Sequence, residues 1–481
     1  MSIIELAPYK PFNTGTPRIN GPSVYGVSPN KPILYKLPVT GLRPIKFSQI
    51  NGLPEGVVFD TQSGILSGSA AEGEYRLCII AENSLGSFKK ELLFRVATDG
   101  MCRTPLMGWT SWNAFRNKIS QEKIAAVARL MDEGGLSSFG YQYVNIDSGW
   151  QGEYGGVHNA IMPNDRFPDM AALCQDVHNR GLKIGIYSTP MQKAWGGGEY
   201  PGCTRGAIDP AFINTEFGVG KEHMEQENVR QWNNWGIDYL KYDWIPCDIQ
   251  NADKMKQCLN AGQRDIAFCV TIAAKIGQVD YWKTHCSSWR DNSDSQDNYE
   301  RLMAIVLPVD AWASHCGPGH FFDMDMLEIG TMWEGPCKLT EDEQLIAYSM
   351  RAILPSPLQI SCDLSALSGF DRAMLCNEEI IAVNQDALGI GAVCVSEEKT
   401  QNTEYQIQKH IKIYEKPLED GGYAYGIFNF GKVTAQVRVP FCGNGPVRDL
   451  WAKKVIGNTE TCGELELQPH TVRMLKMEYS A

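Results

Sequence analysis

Long apolar runs are missing from this sequence. No stretch approaches the roughly 18 uninterrupted apolar residues that a membrane-spanning helix requires, so no membrane partner is expected. Clustered histidine is missing as well: the 8 His are scattered, with no H-x-H pair and no H-E-x-x-H helix, which removes the usual ligand sets of a catalytic zinc. Trp195-Gly-Gly-Gly lacks the Lys-Ser/Thr ending of a phosphate-binding loop. No metal and no cofactor are expected. Positive charge is in deficit, with 44 Lys and Arg against 56 Asp and Glu for a net of −12, and no basic block compensates locally. Such a surface repels phosphate backbones, so nucleic acid is excluded as a partner. Cysteine is plentiful in number but lacks pattern: 15 residues, an odd count, without the spacing of a disulfide scaffold or of paired CxxC motifs. These cysteines read as reduced core residues. The opening residues Met1 to Phe12 carry Glu5 and Lys10 and no secretory apolar segment, so a cytoplasmic location is expected unless a leader has been removed.

What is present is a large globular chain. Its 481 residues, 43% of them hydrophobic, are enough for about three domains or for one barrel with accessories. Residues 1–98 alternate short segments such as Tyr75 to Glu82 and Glu91 to Ala97 with Pro, Gly and Ser turns, the pattern of a small β-sandwich. From 99 to 390 the pattern becomes apolar runs separated by helix-like stretches. The runs are Pro105–Trp109, Tyr141–Asp147, Leu182–Ser188, Ile237–Tyr242, Ile266–Ile272, Ser287–Arg290, His320–Asp325 and Leu358–Asp363. Eight of them, with amphipathic stretches such as Gln121–Glu133 between, predict a (β/α)8 barrel. Residues 391–481 return to alternation, with Asp420-Gly-Gly as a turn, and predict a C-terminal antiparallel β-sandwich.

In a (β/α)8 barrel the active site is built at the C-terminal ends of the strands. Here many of the residues closing the runs are acidic: Asp147, Asp243, Asp294, Asp323, Asp325 and Asp363, with Lys241 and Arg290 among them. A single strand-end Asp is often a helix N-cap. Several converging on one rim point to carboxylate chemistry. Trp109, Trp112, Trp150, Trp195, Trp244, Trp289, Trp312 and Trp333 fall in or near the same segments. Carboxylates that accept from hydroxyls, beside rings that stack on C–H faces, suggest a sugar; each Trp other than Trp112, taken alone, is equally a packing residue.

Six motifs, in order, carry a family resemblance: Leu106-Met-Gly-Trp-Thr-Ser-Trp-Asn-Ala-Phe115, Val144-Asn-Ile-Asp-Ser-Gly-Trp150, Gly181-Leu-Lys-Ile-Gly-Ile-Tyr187, Trp235-Gly-Ile-Asp-Tyr-Leu-Lys-Tyr-Asp243, Gly317-Pro-Gly-His-Phe-Phe-Asp-Met-Asp-Met-Leu327 and Ala382-Val-Asn-Gln-Asp386. Over 102–481 the chain resembles family 27 of the glycoside hydrolases, whose best-known members are α-galactosidases and α-N-acetylgalactosaminidases. Leu53 to Gly68 resembles the immunoglobulin-like repeats that accompany bacterial carbohydrate enzymes. The family likeness implies a retaining mechanism, in which a nucleophilic carboxylate and an acid/base carboxyl stand about 5–5.5 Å apart. It assigns Asp243 as nucleophile and Asp294 as acid/base, with Lys241 and Arg290 as sugar ligands. Trp112, Asp147, Ser148, Tyr187, Asp325 and Met326 match positions lining the family's sugar pocket. Lys241 is expected to keep Asp243 ionised, and the surroundings of Asp294 to hold it protonated.

Departures bear on the substrate, which is expected to be a glycoside or oligosaccharide. Galactosidases of the family usually place two Asp at the end of strand two, where this chain has Asp147-Ser148. The strand-five segment Val270-Thr-Ile-Ala-Ala-Lys275 lacks the Cys-Glu-Trp common in the family, and Ser295 follows the acid/base where Ile is common. The expected function is a retaining exo-α-glycosidase, first of all an α-galactosidase. Isomaltodextranase, β-L-arabinopyranosidase and α-N-acetylgalactosaminidase activities use the same chemistry, and a carbohydrate-binding protein on an inactive scaffold is the alternative from another class.

Overall fold

The computed structural model describes residues 3–478 except 50, 198, 404 and 405. Its centre is a parallel sheet whose strands are almost wholly buried on both faces, which is why they read as unbroken apolar runs. We label them β1 (Met107–Thr110), β2 (Tyr143–Asn145), β3 (Lys183–Ser188), β4 (Tyr239–Asp243), β5 (Ala267–Thr271), β6 (Ser288–Trp289), β7 (Phe321–Phe322) and β8 (Leu358–Ile360). They pair in chain order from β1 to β7, and β8 pairs with β1 through Met107 opposite Leu358. A parallel bridge between Leu327 and Ile360 joins the segment after β7 to β8, giving a TIM-barrel-like ring. Each of the eight expected runs overlaps a strand. β6 and β7 are only two residues long, because each chain leaves the sheet as soon as it reaches the polar rim.

Helices follow the strands and start on side-chain caps. Ser120 accepts from the Lys123 N–H, Asp248 accepts from the Asn251 N–H, and Thr340 with Glu343 forms a capping box. The helix Glu341–Ile353 is buried on nearly every side, between the ring and the C-terminal sheet. That sheet has six strands, and its Phe428, Val472 and Met474 join the ring's hydrophobic core. Its other face covers a separate core with Ile427, Val447 and Leu475, closed by the paired strands Ala435–Arg438 and Glu464–Leu467.

The N-terminal residues form a four-stranded and a three-stranded sheet around one core containing Leu66, Leu77, Ala81 and Phe94. The expected alternation at Tyr75–Glu82 and Glu91–Ala97 is a long antiparallel hairpin, Gly73–Asn83 with Gly86–Val96. The second of these strands also pairs in parallel with Val24–Val27. This unit sits against the N-terminal end of the ring, where Ser28 donates to Asp265, Gln142 donates to the Lys36 carbonyl and Asn20 donates to the Ser138 carbonyl. No helix among the described residues is long and apolar enough to cross a membrane.

Three hairpins went unanticipated: Gln151–Gly155 with Ala160–Pro163, Thr204–Ile208 with Gly220–His223, and Thr331–Met332 with Gly335–Pro336. All lie in the loops after strands, on the side where the acidic residues collect.

Candidate active site

The acidic strand ends converge. Asp147, Lys241, Arg290, Asp325 and Met326 line one pit at the C-terminal mouth of the ring, with Thr271 and Asp323. A neighbouring groove is lined by Trp112, Arg116, Asp294, Met326 and Glu328, so Met326 stands in the wall between the two.

Lys241 reaches Asp147, not Asp243: its ammonium donates to Asp147 Oδ2 at 2.8 Å. The Asp147 Oδ1 accepts from the Ser148 N–H at 2.8 Å, and the Asp147 N–H donates to Ser111. Burial alone would discharge Lys241, but Asp147, Asp243 and Asp325 together hold its pKa above the usual lysine value.

Asp243 ends β4 and is 7% exposed. The Thr271 hydroxyl donates to it from the end of β5. Burial pushes its pKa up to about 6, against the opposing effects of Lys241, Arg290 and the Thr271 hydrogen bond. Lys241 lowers it as expected, but the net shift is upward. The ammonium spends its direct contact on Asp147, so burial prevails at Asp243.

Asp294 stands differently. Four residues past Arg290, in the irregular segment that follows β6, its side chain is 63% exposed and its Oδ1 accepts from Arg290 Nη2 at 2.7 Å. Solvent and the Arg290 guanidinium adjoin the carboxylate. Arg290 is itself 1% exposed and bridges Asp294 to Asp325, whose Oδ1 lies 2.5 Å from Nη1. Asp325 is buried, yet Arg290, Lys241 and the Ser295 N–H hold its pKa below the ordinary carboxylate value. Its backbone φ of +64° is unusual for a non-glycine residue. Ile272 and Ala273 share this left-handed conformation, so strained backbone gathers at the ends of β5 and β7.

Tyr187, at the end of β3, has a buried hydroxyl with no hydrogen-bond partner of ordinary geometry; burial and the Asp243 and Asp147 charges raise its pKa well above the usual value. A buried hydroxyl without a partner beside carboxylates is the kind of group that a ligand satisfies. Ser148 is 1% exposed, and its hydroxyl donates to the Trp195 carbonyl. Its only proton is committed to the protein. Trp112 opens the short helix Trp112–Phe115 and carries Arg116 over its ring at 5.5 Å. Of the other tryptophans, Trp109, Trp150, Trp244, Trp289 and Trp312 are at most 2% exposed and belong to the core, while Trp333 is 51% exposed on the hairpin beside the groove. Asp363 caps a turn, its side chain accepting from the Ser365 N–H, and takes no part in the pit.

The family profile described as Alpha galactosidase A matches residues 104–386, and that of the Alpha galactosidase C-terminal beta sandwich domain matches 408–477. The chain belongs to glycoside hydrolase family 27. Among family relatives, Alpha-galactosidase 2 of Arabidopsis thaliana is 30% identical over 424 residues, covering 83% of this chain and 95% of its own. Alpha-galactosidase A of Cellvibrio japonicus is 33% identical over 68% of this chain and 76% of its own. A crystal structure from Bacteroides fragilis, provisionally assigned as an alpha-galactosidase, superposes with a TM-score of 0.83 at 26% identity, covering 98% of this chain and 99% of that one. This last match spans the N-terminal sheets as well.

As a family 27 glycoside hydrolase, the chain holds site residues that its motifs did not reveal. Thr271 touches Asp243, Ser295 touches Asp325, and Glu328 lies buried in the groove wall, its pKa pushed up to about 7 by burial. A Glu directly after the apolar Met326-Leu327 was the available signal for the last of these, and Ser in place of the family's common Ile was the signal for Ser295; a lone Thr gave none.

Proposed function

We propose that the chain is a retaining exo-α-glycosidase that removes terminal α-galactosyl residues. The observation that carries this reading is the arrangement around Arg290. The exposed Asp294 lies on one side of it, and the buried Asp243, anchored by Thr271, lies within its electrostatic reach. The curated relatives named above as alpha-galactosidases support the sugar.

In this reading Asp243 attacks the anomeric carbon through the oxygen not held by Thr271, and the glycosidic oxygen leaves as Asp294 protonates it. A covalent glycosyl-enzyme forms. Asp294, now a carboxylate, then removes a proton from water, which attacks the anomeric carbon and releases Asp243. Asp147, Lys241, Asp325 and Tyr187 bind the sugar hydroxyls. Because Asp294 is paired with Arg290 in the free protein, a substrate must draw that guanidinium onto itself and leave Asp294 enclosed with its proton.

Ser148 favours a second reading on the sugar alone. Its committed hydroxyl offers a poor counterpart to the second Asp of galactosidases, so an isomaltodextranase-like, β-L-arabinopyranosidase or α-N-acetylgalactosaminidase activity uses the same residues. A panel of p-nitrophenyl glycosides separates these: release from the α-galactoside supports the first reading, and release only from another member replaces it. NMR of the first-formed anomer tests retention, and an inverted product would remove Asp243 from its role. We also propose the division 1–98, 99–390 and 391–481, with an immunoglobulin-like first unit, on the strength of its separate core.

A further inference from the structure

Asp294 is the most exposed of the candidate catalytic groups and lies in a segment, 291–298, without regular secondary structure. General acid catalysis needs its proton within hydrogen-bond reach of the leaving oxygen, so something must place that segment. Arg290 holds only the tip of the side chain, and a substrate would take it away. Arg301 donates to the Asp294 carbonyl at 2.9 Å, from a side that faces solvent. The buried anchorage comes from the next residue. The Ser295 N–H donates to Asp325 Oδ2 at 2.7 Å, and the Ser295 hydroxyl donates to Glu328 Oε1 at 2.8 Å, with a longer contact to the Met326 carbonyl at 3.3 Å.

Glu328 is a fixed post. Arg351, 2% exposed, donates through one nitrogen to the carbonyls of Met324, Asp325 and Met326, so the chain leading into Glu328 is tied to the helix behind it. The Cys337 thiol donates to the Glu328 carbonyl at 3.1 Å. The oxygen that receives Ser295 also accepts from Asn113 Nδ2 at 2.8 Å. Asn113 adjoins Trp112, and its carbonyl accepts from the Trp333 N–H at 2.7 Å. One carboxyl oxygen therefore joins the acid/base segment after β6 to the Trp112 wall after β1, across the groove.

We propose that Glu328, acting through Ser295, is a positioning residue that sets the place of Asp294 against the leaving group. The inference rests on the reading of Asp294 as acid/base. Glu328 touches no reacting atom; it fixes the backbone from which the acid extends.

The test is a leaving-group comparison, because a good leaving group departs without protonation and a poor one does not. We would measure kcat/KM, which reports the glycosylation step, for methyl α-galactoside and 2,4-dinitrophenyl α-galactoside on wild type, Ser295→Ala, Glu328→Gln, Glu328→Leu and the Ser295→Ala/Glu328→Leu double variant. Should the panel identify another sugar, its two corresponding glycosides replace these. Ser295→Ala keeps the backbone bond to Asp325 and removes only the hydroxyl, so it remains informative if Glu328→Leu misfolds. The expected result is a loss of roughly tenfold or more on the methyl glycoside and less than about threefold on the dinitrophenyl glycoside, within the range of general acid contributions. Glu328→Gln keeps an acceptor and should restore most of the methyl glycoside activity, and the double variant should be no worse than the poorer single one. Equal losses on both substrates, or no loss on either, overturn the proposal. Wild-type protein inactive on every α-glycoside refutes the reading of Asp294 and this inference with it; active wild type with unmoved variants refutes this inference alone.

Discussion

Asp238 directly precedes β4 and Asp243 ends it, and each is 7% exposed. At the lower end, Asp238 accepts from His178 at 2.8 Å, from Arg264 at 2.6 Å and from the Ile184 N–H at 3.0 Å. Burial would raise its pKa, but His178, Arg264 and Lys183 more than offset this and bring it below the usual value. Lys183 completes that cluster, donating to Tyr25 of the N-terminal unit at 3.1 Å. At the upper end, Asp243 has the Thr271 hydroxyl as its hydrogen-bond donor and is pushed up to about 6. Equal burial at either end of one strand thus gives opposite shifts, and the partners decide which. Charges at the lower end are satisfied by the protein, as a structural site requires; those at the upper end are left partly unsatisfied, so that a substrate has something to complete.

The largest effect that would break this contrast is at the upper end. Asp243→Ala should reduce turnover of the preferred α-glycoside by roughly four orders of magnitude or more without loss of stability, with partial recovery in azide or formate. Activity of that variant without added nucleophile would remove Asp243 from its role. The lower end should behave in reverse. Asp238→Ala leaves Arg264 and His178 without their buried partner and should cost on the order of 3–5 kcal/mol in chemical denaturation, with kcat of the surviving native protein unchanged. A variant that loses kcat but keeps its stability would merge the two ends into one site.

Acid sharpens the comparison, because the two carboxylates respond with opposite sign. The folded pKa of Asp243 lies above its unfolded value, so its ionisation costs stability as pH rises from about 4 through about 6. Asp243→Asn should therefore be more stable than wild type at pH 7, on the order of 2–3 kcal/mol, with the gain gone below about pH 4. Asp238, with its lowered folded value, supplies stability above the unfolded pKa that is lost only as pH falls toward that lowered value. The same ionisation of Asp243 should set the acid limb of kcat/KM near pH 6. A limb a full unit or more lower would mean that the free protein keeps Asp243 charged. The smallest effect belongs to Ser148→Ala. With its hydroxyl engaged by Trp195, the change should cost about 1 kcal/mol of stability and less than about threefold in kcat/KM. A large loss of activity would restore Ser148 as a sugar ligand.

The ring was legible because strands buried on both faces leave unbroken apolar runs, and a polar residue ending a run marks the rim. This placed Asp147, Lys241, Asp243, Arg290 and Asp325 together from spacing alone. Spacing does not say which carboxylate a lysine reaches, since that depends on side-chain direction across neighbouring strands; Lys241 was paired in expectation with Asp243 and lies on Asp147. Nor does it say how far a loop carries its charge into water, and Asp294 stands exposed. The hairpins beside the site are too short to show an alternating pattern. Tryptophan near strand ends proved ambiguous for the reason given at the outset: most of these rings fill the space between strands and helices, Trp112 was marked only by the family likeness, and Trp333, exposed beside the groove, was not distinguished by sequence.

The pairing of β8 with β1 also has a consequence for how the chain comes off the ribosome. Met107 meets Leu358, and Ile360 meets Leu327, so the ring cannot close until residue 360 has been made. The N-terminal sheets, with a core of their own, have everything they need long before that and can fold as they emerge. They then wait as a finished surface against which the starts of β3 and β4 can settle while β5 to β8 are still in synthesis. The unit that seals the lower end at the end of folding is in place at its beginning.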